Sequence, residues 1–269
     1  MIVAVSDVPP DGLWEIVGPL LPPAGTMGRP RVDQRAVFTT VLFVDITGCS
    51  WESADGLFGV KRAAAHRWFQ TWTEAGVWAE IHRAVLDELG GCALPDWSRA
   101  CLDSQSVRAK RGGAHTGPNP TDRAKPGSKP HLLIEATGLP LTCGVSAANV
   151  HDTHALRPLV RAVPAVRSRR GPRRLKPAKL HADKAYHSAA ERAWIADRGI
   201  GVRIARPGVD SSERSGRHRY KVERTIAWLG GFRRLAQRWE RKGSNFLAML
   251  SIACILTCYR RLAKHSRDF

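Results

Sequence analysis

Apolar residues recur at helical spacing through Arg219 to Trp239, RYKVERTIAWLGGFRRLAQRW. Val222, Ile226 and Leu229 form one row, and Trp228, Phe232, Leu235 and Trp239 form the row beside it, which predicts one helix with a broad apolar face. Phe246 to Tyr259 is a 14-residue apolar run interrupted only by Ser251 and Thr257, too short for a membrane span and suited to a buried helix. Near the start, residues 11–21 read as a short helix capped by Asp11 and stopped by Pro22-Pro23. Asp33 caps a second helix through Ile46, with Val37, Val41 and Val44 on one face. Ser53–Phe58 reads as a short helix, Val60–Glu74 as another and Val77–Leu89 as a fourth after Asp33. A long helix, a short one and a helix opening with Lys61, Arg62, His66 and Arg67 suggest a helix-turn-helix; all-helical bundles without DNA contacts look similar, and the net negative charge of this half counts against the DNA-binding reading.

From residue 98 the pattern changes to strands alternating with helices. Ala100–Val107 reads as a strand, and residues 108–130 as a surface loop rich in Gly, Pro and basic residues. His131–Glu135 and Leu139–Val145 form a hairpin across Ala136-Thr137-Gly138, and Asp152–Ala162 is a helix. Leu180–Asp183 is a strand, Ala189–Asp197 a helix and Val202–Ala205 a strand, followed by a polar loop over 206–218. Three strands followed by alternating helices and strands are what a ribonuclease-H-like fold requires. The expected fold class is therefore an α/β domain of that kind (residues 98–269, a mixed five-stranded sheet with helices). It is preceded by an all-α, helix-turn-helix-like domain (residues 1–97).

Charge separates the two parts. The chain carries a net +18 over 269 residues. Residues 1–97 hold 7 Lys+Arg against 12 Asp+Glu, and residues 98–269 hold the other 35 against 12, a net +23. Such a field points to a polyanion, nucleic acid before membrane. The opening IVAVSDVPPDG has no basic n-region or apolar core, so no signal peptide is expected and a cytoplasmic location is. The six cysteines show no CxxC pair, which favours reduced core thiols over a zinc site. Gly28-Arg29-Pro30-Arg31 reads as a plain turn or as a minor-groove contact through Arg29 and Arg31. Residues 167–179 (RSRRGPRRLKPAK) hold seven basic residues and no acid.

Three acids stand out by position: Asp103 where a strand meets the basic loop, Asp183 at a later strand end, and Glu223 on the long helix. Glu223 pairs with Arg219 one turn away or belongs to a site with the other two. Carboxylates at strand ends facing a helical acid suit two Mg²⁺ ions, which take hard oxygen ligands. A +23 field around them fits a phosphate substrate and not sugar hydrolysis.

The motifs LDSQSVRAKRGG, KPHLLIEATGLPLTCGVSAANVHD, ADKAYHS and VERTIAWLGGFRRLAQRWER resemble, in order, those of insertion-sequence transposases of the DDE superfamily, closest to the insertion-sequence-five group. LWEIVGPLLPP, GRPRVDQRAVF and TGCSWESADGLFG with RWFQTWTEAGVW extend the resemblance over nearly the whole chain. It implies Asp103, Asp183 and Glu223 as the catalytic and metal-binding acids, spaced 80 and 40 residues apart. It implies Mg²⁺, with Mn²⁺ as a substitute, and double-stranded DNA as partner, both terminal inverted repeats and target. A homodimer on the DNA and no membrane association follow from the same likeness. The expected DNA contacts are Arg29, Arg31, Lys61, Arg62, His66, Arg67, Arg108, Lys110, Arg111, Lys129, Lys184, Arg219, Arg233 and Arg234. Of the family signature Tyr–Arg–Glu–Lys, Arg219 and Glu223 are present, while Gly216 and Gly230 stand at the Tyr and Lys positions. Asn149, His151 and Asp152 also match family positions.

Overall fold

A computed structural model of the chain describes residues 9–23, 32–206 and 212–267, with the backbone alone over 212–219. Helices come first: α1 (Asp11–Val17) running into a 3-10 turn, α2 (Gln34–Thr47), α3 (Arg62–Glu74) and α4 (Val77–Gly91). Asp33 caps α2 as its spacing predicts, its side chain accepting from Arg35 N and Ala36 N at 2.8 and 3.2 Å. Asp11 does not cap α1. It lies inside the first turn and pairs with Arg35 of α2. The short helix expected at Ser53–Phe58 is a run of turns instead, in which Gly56 and Gly59 adopt φ of 75°, a conformation that does not propagate a right-handed helix. Aromatic rings knit these helices: Trp78 lies 6.2 Å from Phe38, 6.0 Å from Phe69 and 5.9 Å from Trp72.

The sheet follows. Its strands are β1 (Ala100–Ser104), β2 (Val107–Arg108), β3 (Gly117–Pro118), β4 (Pro126–Glu135), β5 (Pro140–Ala147), β6 (Lys179–Ala182) and β7 (Gly201–Ile204). β4 is antiparallel to both β1 and β5, whereas β6 is parallel to β1 and to β7. Short β2, which continues the register of β1, and short β3 pair with the first residues of β4. This mixed order is consistent with a ribonuclease-H-like domain. α5 (Thr153–Arg161) crosses from β5 towards β6, and α6 (Ala189–Asp197) from β6 to β7. The strand expected to run unbroken to Val107 stops at Ser104 and resumes as β2. The loop after it is ordered around one side chain. The buried Arg238 guanidinium donates to His115 O (3.0 Å), Ser128 Oγ (2.6 Å), Arg241 O (3.2 Å) and Ala114 O, and its Nε donates to Glu240 O (2.8 Å).

The polar stretch after β7 becomes helix earlier than expected: α7 spans Ser212–Gly230. It also ends earlier. The chain breaks at Gly230-Gly231, makes the single turn α8 (Arg233–Ala236) and then extends. Two adjacent glycines cost a helix about 1 kcal/mol each, and the predicted row from Trp228 to Trp239 does not survive them. Trp228 and Trp239 are exposed, while Phe232 and Leu235 are buried.

The apolar run near the end is α9 (Gly243–Arg267), the one described helix long and apolar enough by composition to cross a membrane. Here its length serves packing, against α4 on one side and β5 on the other. One buried cluster consequently runs from Leu13 of α1 through α9 to the sheet. The six cysteines are free thiols.

Candidate active site

Asp103 and Asp183 are brought together by strand register. Leu102 of β1 is paired with Ala182 of β6 in parallel, so the next residue of each is an aspartate at the same end of neighbouring strands. Adjacent strands lie about 4.8 Å apart. Each carboxylate is held by the backbone that follows it: Asp103 Oδ1 accepts from Ser104 N at 2.9 Å, and Asp183 Oδ1 from Lys184 N at 2.6 Å. Both are half-buried.

A fourth acid joins them. Asp152, just before α5, accepts from Lys129 Nζ at 2.8 Å and from Ser104 Oγ at 3.3 Å. Beneath the acids lie Tyr186 and His131, both buried, with the ring Nδ1 3.5 Å from the phenol oxygen. Burial, helped by the charges of Asp152, Asp103 and Asp183, pushes the Tyr186 hydroxyl far above its ordinary value. Burial likewise pulls His131 down to about 4, so the ring is neutral near pH 7. The acids therefore stand on an uncharged floor and concentrate negative charge at one end of the sheet.

Glu223 is placed differently. α7 packs across β1, with Val222 and Leu229 buried beneath it and Glu223 exposed. Its neighbours fasten it to the β4–β5 turn: Lys221 Nζ donates to Ala136 O (2.7 Å), Arg224 Nη2 to Thr137 O (3.1 Å) and Thr225 Oγ1 to Gly138 O (2.9 Å). Glu135, immediately before that turn, is paired with Ala100, so the turn lies where β1 begins, about 10 Å along the strand from Asp103. A cleft of about 360 Å³, lined by Gln105, Arg108, His131, Ile226 and Leu229 among others, separates part of α7 from the sheet. Among the described residues no three His, Cys, Asp or Glu side chains converge closely enough to hold one ion. The Asp103–Asp183 pair, all hard oxygen, has the donor chemistry that a divalent cation such as Mg²⁺ takes, with Asp152 beside it.

The expected DNA contacts divide. Arg108, Lys110, Arg111 and Lys184 are exposed near the ends of β1 and β6, and Arg233 is exposed after the glycine break. Lys129 is turned inward, onto Asp152 and the Val150 carbonyl (2.9 Å). Arg234 is withdrawn from the set: it is buried, and its guanidinium binds Glu240 (2.7 Å) and the Cys49 carbonyl (3.0 Å). On α3, Lys61 and Arg67 are exposed, Arg62 pairs with Glu52 (3.1 Å), and His66 packs edge-on against Trp51 at 5.1 Å. Arg29 and Arg31 lie outside the described residues, as does the side chain of Arg219. Sequence reasoning gave no part to Tyr186, His131 or Arg238. The first stands inside ADKAYHS, three residues after an acid, and that spacing was the available signal.

A mixed sheet with paired aspartates at the ends of two parallel strands is consistent with a ribonuclease-H-like domain. Residues 96–258 match the family model described as transposase DDE domain, and residues 10–82 that described as "Putative transposase of IS4/5 family". The chain belongs to the DDE transposases of insertion sequences. It is 42% identical over 153 residues to the "Putative transposase for insertion sequence element IS402" of Burkholderia cepacia, a match covering 57% of this chain and 72% of that one. A 16.2 kDa uncharacterized protein of the same element is 36% identical over 116 residues, 41% of this chain and 79% of its own. A chain in the crystal structure of a pre-cleavage Mos1 transpososome aligns over 89% of this chain and 82% of its own at 9% identity and a TM-score of 0.27, too low for any structural argument.

Proposed function

We propose that this transposase cleaves DNA phosphodiesters at the ends of its own insertion sequence and joins the freed 3′-hydroxyls to target DNA. The observation that carries the reading is the register pairing that sets Asp103 beside Asp183 in a strongly basic domain. These two residues, with Glu223, would hold the Mg²⁺ ions. When bound, Mg²⁺ or Mn²⁺ would supply the field that activates a water or 3′-hydroxyl and steadies the leaving oxygen. The chain's own groups do the rest. The strand ends fix the two carboxylates, and the neutral Tyr186–His131 floor adds no positive charge beneath them. Lys129 locks Asp152 in place, and Arg108, Lys110, Arg111, Lys184 and Arg233 meet phosphates. Lys61 and Arg67, exposed at the start of α3, are the groups through which residues 1–97 would recognise the element's ends. The acting species would be a dimer on the DNA, in the cytoplasm.

The test is nicking of a plasmid carrying the element by purified protein. Asp103→Asn, Asp183→Asn and Glu223→Gln should each abolish Mg²⁺-dependent nicking while duplex binding persists, and Ca²⁺ should support binding without turnover. Wild-type nicking by Glu223→Gln would remove that residue from the site. A second reading, a transposase-derived DNA-binding protein that no longer cuts, is favoured by one feature: Lys221 and Arg224, on either side of Glu223, are fastened to the turn at the other end of β1 from Asp103. Wild-type protein that binds the ends but never nicks them in Mg²⁺ or Mn²⁺ would establish it.

A further inference from the structure

The basic run 167–179 has no part in the chemistry above. It connects α5 to β6, so it lies where β6 begins, and Asp183 stands where β6 ends. Parallel pairing puts the starts of β1 and β7 at the same end as the run. The run and the acid pair are therefore at opposite ends of the sheet, about 13 Å apart along the four residues of β6.

This segment is braced. The Arg167 N–H donates to Asp87 Oδ1 (2.7 Å), and Arg173 Nη1 to both Asp87 oxygens (2.9 and 3.0 Å). Val166 and Arg174 exchange two backbone hydrogen bonds of 2.8 Å, and Lys176 Nζ donates to the Arg198 carbonyl (2.9 Å). The nearby carboxylates, Asp87 and Glu88, are engaged by Arg173 and Arg167, which leaves Arg169, Arg170 and Arg174 exposed on a fixed backbone.

Lys176 ties the segment to the end of α6, one turn before which stands Trp194. Three guanidinium groups surround its ring: Arg198 at 4.2 Å from the centroid, Arg161 at 5.4 Å and Arg157 at 5.5 Å. Glu191 pairs with Arg157 at 3.0 Å, whereas Arg161 and Arg198 are exposed. A carboxylate orders an arginine by cancelling its charge. An indole orders it and leaves the charge and the in-plane N–H groups for an outside anion. Fixed, uncompensated guanidiniums are the groups that grip phosphate bidentately.

We propose that this end of the sheet binds the sugar–phosphate backbone of a second DNA duplex while the catalytic end holds the first. Arg161 and Arg198, supported by Trp194, and Arg169, Arg170 and Arg174, on the braced segment, grip its phosphates. Nothing in the set reads a base edge, so the second duplex is held without sequence preference. The inference rests on the DNA-processing reading above, but its test does not require cleavage.

The full-length protein is titrated in EDTA with a fluorescent random-sequence duplex at several salt concentrations. Wild type should bind two duplexes per chain. Arg169→Ala/Arg170→Ala/Arg174→Ala should bind one, and the log–log salt slope should shrink by about 2.7, at 0.9 for each phosphate no longer neutralised. Arg161→Ala/Arg198→Ala should act in the same direction. Mg²⁺-dependent nicking of an element-bearing plasmid should stay at the wild-type rate in both. Unchanged stoichiometry and slope in the variants would overturn the proposal. So would a parallel loss of nicking, which would mean one duplex spanning both ends. If wild type never nicks, the catalytic reading fails alone, and the loss of the second duplex still decides this one.

Discussion

Asp45 shows what a single residue costs in the wrong dielectric. It lies on the buried face of α2, and neither carboxylate oxygen has a hydrogen-bond partner. Burial pushes its pKa well above 3.8; the nearby Glu240 adds to this, and Arg234 opposes it. The folded state thus binds a proton that the unfolded chain releases, so stability falls as pH rises from about 3.8 towards the raised value. Asp45→Asn removes the charge at nearly constant shape. It should raise stability at pH 7 by about 1–3 kcal/mol and flatten the decline above pH 4, as read by urea unfolding across pH. A variant less stable than wild type at pH 7 would mean that the carboxylate has a partner worth keeping. Arg238 is the opposite case. Its cation is equally buried, yet all three guanidinium nitrogens donate, and the basic loop carrying Arg108 and Arg111 is shaped around it.

Between elements, the α2–α8 junction depends on the absence of a side chain. Gly48 ends α2 in the left-handed region at φ 68°, and a Cβ there would meet Arg233 Cβ at 2.7 Å and its carbonyl carbon at 2.9 Å. Gly48→Ala should therefore add conformational strain to a backbone clash and destabilise by about 2 kcal/mol or more in thermal melts. Gly230 is the contrast: its Cβ position is open and its φ ordinary. A side chain there would meet no obstacle, so the missing lysine of the family signature is a chemical absence and not a steric necessity.

For the whole molecule, the continuous core matters more than the charge boundary at residue 98. α4 covers α9, and α9 covers β5, so residues 1–97 and 98–269 bury apolar surface against each other. The full chain should unfold in one calorimetric transition, with matching van't Hoff and calorimetric enthalpies. Removing residues 1–97 should expose the α4-facing side of α9 and yield aggregating protein, measurable by light scattering. Two resolved transitions, or a soluble folded fragment 98–269, would show that the halves are independent. Recognition of the element's ends is accordingly better probed by Lys61→Ala/Arg67→Ala in the intact chain.

Local patterning was enough to place most elements. The cap at Asp33, the hairpin at Ala136-Thr137-Gly138, the alternation after residue 98 and the apolar run of α9 each depend on neighbours in sequence, which is why they could be read there. The two strand-end aspartates were legible for the same reason, since a strand end beside a loop is a local feature. Gly230-Gly231 was equally visible, but weighing it against an apolar row required knowing that Trp228 and Trp239 find nothing to pack on. Tertiary structure alone decided which charges face inward. Arg234 and Lys129 looked like phosphate ligands in a basic chain, yet Glu240 and Asp152 hold them, and these partners are distant in sequence or reached only by folding. It also decided that the 167–179 run and the acid pair stand at opposite ends of one sheet. Charge composition sums over the chain and carries no direction, whereas parallel strands give the molecule two distinct ends.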